Sequence, residues 1–241
     1  MSGHNKWSTI KRKKAVLDAK KGKIFSRIIK EIMIAVRQAG ADPEANARLR
    51  LAIDNAKSAN MPAENIERAI KKASGELEGQ QLFEVVYEGY GPGGAAIIVE
   101  AATDNKNRTL QEIRHTFSKY GGTLGESKSV SWMFEHKGVI TIKRDGKSED
   151  EMMEIILDVG ADDLITDEDF FQVKTSIEDF EHVRRALADK KLPIENASLQ
   201  WIAKTNHELK KEDVEKFEKL MDAIEDCDDV QNVYTNAEIK E

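Results

Sequence analysis

The chain has 241 residues, of which 40% are apolar and 34% are charged, and its net charge is -7. This composition is typical of a globular protein with a packed core. The longest purely apolar runs have five residues, far below the roughly 20 that span a bilayer. A secretory signal would need a longer apolar stretch than the basic first residues offer. We therefore expect a cytoplasmic protein without a membrane partner.

Positive charge is concentrated at the start of the chain. Ten of the first thirty residues are Lys or Arg, against the single acid Asp18. Residues 1–75 carry a net charge of +10, and the other 166 residues carry -17. A basic tract is attracted to a polyanion and releases counterions on binding, whereas an acidic body repels phosphate. Nucleic acid is therefore the first partner that this pattern indicates.

Three amphipathic helices are predicted in the first third of the chain. Apolar residues spaced by three and four predict a helix over 24–39, which Gly40 ends. We expect Asp42 and Pro43 to cap a second helix, and Asn60 with Pro62 to cap a third that ends at Gly75. Connections this short favour a bundle. The predicted inward faces are Ala45, Leu49, Ala52, Ile53 and Ala56 in the second helix, and Ile66, Ala69, Ile70 and Ala73 in the third.

Strands and helices alternate in the rest of the chain. The first group is a strand at 83–87, a strand at 95–101, a helix capped by Asp104 or Asn105, and a strand at 130–134. The next group is a strand at 139–142, a helix at 149–159, strands near 164 and 171–175, a helix at 177–188 and a strand at 198–203. This second order, βαββαβ, is the ferredoxin-like pattern. A helix around 214–224 and a strand at 230–234 would complete the first group if the second is an insertion.

We therefore predict an α+β fold of three domains. An N-terminal three-helix bundle is followed by two α/β domains with ferredoxin-like βαβ arrangements, one inserted in the other. The predicted boundaries are 1–78 for the basic tail and bundle, 79–135 plus 206–241 for the discontinuous α/β domain, and 136–205 for the inserted domain.

The basic tract supplies the first group of candidate nucleic-acid-binding residues. Each cation would neutralise a phosphate, although such cations can also merely solvate a helix. The indole of Trp7 could stack on an unpaired base or anchor the tail to the bundle. The group consists of Lys6, Trp7, Lys11, Arg12, Lys13, Lys14, Lys20, Lys21, Lys23 and Arg27.

A second candidate group lies at the start of the helix near residue 105. It consists of Asn105, Asn107, Arg108 and, one to two turns later, Arg114. Amide and guanidinium groups at a helix start can hold an anion. Capping of the helix by Asn105 is the alternative interpretation.

The sequence contains no pattern that predicts catalysis. The glycine-rich segment 91–94 lacks the Gly-Lys-Ser/Thr and the following helix of a phosphate loop, so we expect a tight connection between strands. The acidic run at 158–169 lacks the spacing of a calcium loop, and Cys227 is the only cysteine. We therefore expect no catalytic residue, no metal, no cofactor and no small-molecule substrate.

Six short motifs run in order along most of the chain. They are Gly-His-Asn-Lys-Trp at 3–7, Asn-Met-Pro at 60–62, Asn-Ile-Glu-Arg-Ala-Ile at 65–70, Tyr-Glu-Gly-Tyr-Gly-Pro-Gly-Gly at 87–94, Asp-Asn-Lys-Asn-Arg-Thr at 104–109 and Val-Ser-Trp-Met-Phe at 130–134. In these motifs the chain resembles the YebC family, whose bacterial members are described as probable transcriptional regulators and whose mitochondrial relative is a translational activator of a cytochrome oxidase subunit. The chain departs from the family pattern at Asn5, Lys128 and Ala203, where Ser, Gly and Pro are common.

The resemblance implies three domains around a concave face and a protein that binds nucleic acid or the ribosome and is not an enzyme. Together with the charge pattern it predicts a DNA-binding transcriptional regulator. Ribosomal RNA is the alternative target, which would make the chain a translation factor. The lack of a recognisable helix-turn-helix with base-reading side chains weakens the DNA assignment, and the two alternatives stay open.

Overall fold

The structure, a computed structural model, describes residues 19–77 and 81–239, with side chains from residue 22 onward. Within this part, no helix is long and apolar enough to cross a bilayer. In chain order the elements are α1 (Ala19–Ala39), α2 (Ala47–Ser58), α3 (Ala63–Ser74), β1 (Phe83–Tyr90), β2 (Ala96–Thr103), α4 (Lys106–Lys119), β3 (Thr123–Leu124), β4 (Phe134–Lys143), α5 (Glu149–Asp158), β5 (Asp163–Thr166), β6 (Phe170–Thr175), α6 (Phe180–Asp189), β7 (Ile194–Ala203), β8 (His207–Glu208), α7 (Lys211–Asp226), β9 (Val230–Thr235) and β10 (Ala237–Glu238).

Helices α1 to α3 pack together as the predicted bundle. Their apolar residues fall on one face of each helix, and burying those faces against one another is what stabilises helices of this length. Gly40 and Gly75 follow α1 and α3 with φ values of 90° and 88°, as expected for residues that end a helix. The buried side chains between the helices include Ile32, Val36, Leu49, Ala52, Ala56, Ile66 and Ala69.

The predicted cap of the second helix is wrong, because Asn46 rather than Asp42 is its N-cap. The Asn46 Oδ1 accepts a hydrogen bond from the Leu49 N–H at 3.0 Å. Its Nδ2 donates to the carbonyl oxygens of Ala35 and Gly40, both at 2.8 Å. Asn46 is 2% exposed. One buried amide therefore joins the end of α1 to the start of α2. As a result α2 begins at Ala47, several residues later than predicted.

Two smaller features of the bundle also differ from the prediction. Asn60 does not cap α3: it adopts a φ of 57°, and Pro62 occupies the N-cap position without a side-chain hydrogen bond. Ala45, predicted to face inward, is exposed because it lies before α2 begins.

The first sheet combines strands from both sides of the predicted insertion. Its strand order is β3-β1-β2-β9, and β2 pairs antiparallel with both β1 and β9. Helices α4 and α7 contribute Phe117 and Phe217, both fully buried, to the core beneath this sheet. The chain therefore returns to the first sheet after building the second, as the predicted fold requires.

The second sheet has the order β5-β6-β4-β7 with antiparallel neighbours. Numbered within this unit the order is 2-3-1-4, which is the ferredoxin-like arrangement predicted from βαββαβ. Helices α5 and α6 bury Met152 and Leu187 against Ile140 and Phe171 of the sheet. The fold is therefore α+β, with a helical bundle and one α/β domain inserted in the other.

The predicted strand at 130–134 is wrong. Ser131–Met133 form a single 3₁₀ turn, and β4 runs without interruption from Phe134 to Lys143, replacing two predicted strands. The carboxylate of Glu88, on β1, accepts hydrogen bonds from the backbone N–H groups of this segment. Those groups are therefore not available to pair with a neighbouring strand.

Candidate nucleic-acid interface

Much of the predicted basic tract lies outside the described residues. Lys20 and Lys21 lie in the first turn of α1. The candidates that fall outside the described part of the chain are Lys6, Trp7, Lys11, Arg12, Lys13 and Lys14.

Two cations of the tract, Lys23 and Arg27, hold α1 against the end of α7 and the start of β9. The Lys23 Nζ forms an ion pair with Asp226 at 2.9 Å. The Arg27 guanidinium donates to the carbonyl oxygens of Glu225 and Val230 at 2.9 and 3.1 Å. Both side chains thus contribute to packing between domains, and phosphate binding by them stays a prediction.

Asp229 connects Lys30 of α1 with Arg108, a member of the second predicted group. Its carboxylate pairs with Lys30 of α1 at 2.9 Å and with Arg108 of α4 at 2.8 Å. The hydroxyl groups of Thr109 and Thr103 donate to it at 2.7 and 3.1 Å. Burial alone would raise the pKa of this carboxyl, but the Arg108, Thr109 and Lys30 donors outweigh burial and hold the pKa well below its usual range. Asp229 therefore stays ionised and joins the bundle to the first sheet.

At the start of α4, Asn105 is the N-cap residue. The Asn105 Oδ1 accepts a hydrogen bond from the Arg108 N–H at 3.1 Å, and the Arg108 guanidinium also pairs with Asp104 at 2.9 Å. Asn107 and Arg114 are exposed on the same helix. Asn105 therefore caps α4, as the alternative interpretation predicted. Anion binding by Asn105, Asn107, Arg108 and Arg114 stays a prediction.

Helix α3 carries an exposed basic face whose residues belong to neither predicted group. Arg68, Lys71 and Lys72 are spaced by three and four, so they share one side of the helix, and all three are exposed. Arg68 pairs with Glu64 at 2.9 Å across one turn. Plotting the charged residues of 63–74 on a helix would have found this face, because its apolar residues mark the opposite side.

A cleft of about 1050 Å³ lies where the bundle meets both sheets. Trp201 stacks on His136 there, with ring centroids 4.7 Å apart, and its Nε1 donates to Glu100 at 2.9 Å. The charged side chains that line the cleft are Arg27, Arg48, Lys174, Glu31, Glu84, Glu100, Asp167, Glu181 and Glu195. Carboxylates outnumber cations in this set, so the concave face repels phosphate.

Glu181 connects the inserted domain to the bundle. Its carboxylate accepts from Arg184 and Arg185 on α6 and from Arg50 on α2, at 2.8 to 3.2 Å. Arg184 also reaches Asp54 of α2 at 2.9 Å. Burial favours a higher pKa for Glu181, but the three guanidinium groups outweigh it and lower the pKa from 4.5 to about 2.

Stability should therefore depend on the Glu181 charge at acidic pH. Because the folded-state pKa lies below the unfolded value, this charge stabilises the fold above pH 4.5, and the contribution is lost as the pH falls toward about 2. We expect the wild type to exceed Glu181→Gln in unfolding free energy by about 2 kcal/mol at neutral pH. Urea unfolding across this range should show the difference shrinking with acid; a constant difference would contradict the assignment.

The fold and its charge distribution define a class of protein: a three-domain α+β protein whose positive charge is concentrated in and before a helical bundle. The chain belongs to the TACO1/YebC family. The model of the TACO1/YebC N-terminal domain matches residues 5–76, and the model of the TACO1/YebC second and third domain matches residues 82–237.

Similar proteins cover the whole chain. A probable transcriptional regulatory protein of Chloroherpeton thalassium is 54% identical over 100% of this chain and 97% of its own length. One from Pelotomaculum thermopropionicum is 51% identical over 100% of both chains. The crystal structure of a conserved hypothetical protein, Aq1575 from Aquifex aeolicus, matches with a TM-score of 0.91 and 48% identity over 98% of each chain. The relatives' names indicate a regulatory protein.

Proposed function

We propose that this chain is a non-enzymatic regulator of gene expression that acts in the cytoplasm by binding nucleic acid, with DNA as the first target. The basic tract Lys6–Arg27 and the exposed face of α3 would contact phosphates. The observation that carries the proposal is the separation of charge, +10 in residues 1–75 against -17 in the remainder. The relatives' shared name, probable transcriptional regulatory protein, supports the same role.

The positions of the charged side chains support nucleic-acid contact on the helical bundle. Lys23, Arg27 and Lys30 are engaged with acidic groups or carbonyl oxygens of other elements. Arg68, Lys71 and Lys72 are exposed, and Arg68 pairs with Glu64 of its own helix. Among the charged side chains that line the cleft between the domains, carboxylates outnumber cations, so a polyanion is not attracted to it. Phosphate contact is therefore expected on the bundle and the tract that precedes it.

The proposal is tested by the salt dependence of binding. If about six cations neutralise phosphates, a log-log plot of affinity against salt should have a slope near -5 on duplex DNA and a smaller slope on single strands. Fluorescence anisotropy titrations at several salt concentrations measure this slope. An affinity that does not change with salt would contradict a phosphate-binding role.

Ribosomal RNA is the second candidate target, and the position of the cations on α3 favours it. A recognition helix reads base edges with its N-terminal residues, yet α3 begins Ala-Glu-Asn-Ile and carries Lys71 and Lys72 in its last turn. Such a helix suits contact with a phosphate backbone rather than base reading. Co-sedimentation with ribosomes at modest salt, compared with retention on promoter fragments, discriminates between the two targets.

A further inference from the structure

The segment 125–133 is a rigid turn organised by one buried carboxylate. Glu88, 6% exposed, accepts backbone hydrogen bonds from Lys128 at 2.8 Å, Val130 at 2.8 Å and Ser131 at 2.7 Å. Burial favours a higher pKa for Glu88, but these three N–H donors outweigh it and lower the pKa. A carboxylate that stays ionised and satisfies three backbone groups holds the turn in one conformation.

This turn presents an exposed indole. Trp132 is 66% exposed, although tryptophan is one of the most apolar side chains and usually lies in a core. Its Nε1 donates to the Ser129 carbonyl oxygen at 3.1 Å, which fixes the orientation of the ring from within the same turn. The indole is therefore held in place while most of its surface is accessible to another molecule.

Two lysines contact or belong to the turn that carries this indole. The Lys204 Nζ donates to the Trp132 carbonyl oxygen at 3.0 Å, and the Lys204 N–H donates to Met133. Lys128 lies in the turn itself, with a φ of 68°, and both lysines are exposed. The acids close to Trp132 are the buried Glu88 beneath the turn, Glu126 within it and the exposed Glu135 at the start of β4. Proteins that bind single-stranded nucleic acid combine exposed aromatic rings with nearby basic side chains, and this turn offers both kinds of group.

We infer that Trp132 is a stacking site for an unpaired nucleobase, and that Lys128 and Lys204 neutralise the phosphates on either side of that base. The inference rests on the proposed function and deepens it, because it assigns a contact outside the basic tract and a preference for single-stranded segments. Stacking on an indole tolerates any base, so this site adds affinity without sequence specificity.

The test follows Trp132 directly in the full chain. The protein has three tryptophans, and incorporation of 5-fluorotryptophan gives each a ¹⁹F resonance, with Trp132 assigned from the signal lost in Trp132→Phe. The chain is titrated with an oligoadenylate of about twelve nucleotides and with an abasic oligonucleotide of the same length. We expect the Trp132 resonance to move with the oligoadenylate and to stay in place with the abasic strand.

Affinity measurements separate stacking from charge. Trp132→Ala should weaken binding to the oligoadenylate roughly ten-fold and leave the salt slope unchanged, while Trp132→Phe should retain most of the affinity. Lys204→Gln should reduce the magnitude of the slope by less than about one unit. Leu157→Ala is the matched control, because Leu157 is a 69% exposed apolar residue on α5 and should change neither quantity.

The outcomes distinguish this inference from the proposed function. If the wild type binds neither these strands nor duplex DNA, both fail. If it binds duplex DNA but neither single strand, the proposed function stands and the stacking site is overturned. If the wild type binds but the Trp132 resonance stays in place and Trp132→Ala keeps full affinity, the proposed function stands and the stacking site is overturned. That result would indicate that the exposed indole of Trp132 contacts a protein partner instead of a nucleobase.

Discussion

Replacing Lys11, Arg12, Lys13 and Lys14 by glutamine is expected to weaken binding to duplex DNA about a thousand-fold at 0.1 M salt. Each phosphate contact releases nearly one counterion, so the loss of four contacts from about six should also reduce the salt slope from near -5 to near -2. Anisotropy titrations of the full chain at several salt concentrations measure both quantities. A loss of affinity without a smaller slope would indicate a misfolded variant rather than missing phosphate contacts.

A matched control removes four positive charges elsewhere. Lys143, Lys191, Lys211 and Lys216 are exposed in the two α/β domains, and their replacement by glutamine changes the net charge by the same amount. Because these side chains belong to the acidic remainder of the chain, the control should keep most of the wild-type affinity and its slope. Equal losses in the two variants would show that net charge, and not the basic tract, governs binding.

Asp229→Ala is expected to lower the free energy of unfolding by about 4 kcal/mol. The substitution removes the shared acceptor of Lys30, Arg108 and Thr109. The side chains of Lys30 and Asp229 are only 20% and 10% exposed. Lys30 keeps the carbonyl oxygens of Ala102 and Asp228, and Arg108 keeps Asp104, but both lose their charged acceptor in a partly buried network. Removing one partner from such a network costs more free energy than the pair itself contributes. Asp229→Asn should cost less, because its amide oxygen can still accept a hydrogen bond.

Asp226→Ala is the control for that measurement. Asp226 also pairs with a lysine of α1, but its side chain is 83% exposed, so the loss should stay within about 1 kcal/mol. Urea unfolding of the three variants and the wild type gives the comparison. If Asp229→Ala cost no more than Asp226→Ala, the buried network would not be what joins α1 to the first sheet.

The sequence predicted the type and order of the elements well, because hydrophobic period and turn residues are local signals. The ferredoxin-like order and the return to the first sheet followed from that order alone. The errors arose where distant groups decide local structure. Asp42 and Asn46 are both good N-cap residues, but only Asn46 can also donate to the carbonyl oxygens of Ala35 and Gly40. Likewise, the turn after residue 128 is organised by Glu88, which lies 42 residues before Val130.

The candidate interface was predictable in its overall charge but not residue by residue. A lysine that is available to phosphate and one that is engaged in the fold look the same in a sequence. Arg27 is engaged by a carbonyl group 203 residues further along the chain, and Lys30 by a carboxylate 199 residues away. The environment of Trp132 was equally hidden, because its exposure depends on a turn that the strand-like composition of 130–134 did not indicate.

The pairing of β2 with β9 affects the order in which parts of the protein can fold during synthesis. At about 5–20 residues per second, on the order of ten seconds separate the synthesis of these two strands on the translating ribosome. The inserted unit has all its own strands before β9 emerges, so it can fold while the sheet that hosts it is still open. Helix α1 must wait longer still for Asp229, because 199 residues separate Lys30 from it. Helix α1 is therefore made before the two sheets but can dock against β9 only after them.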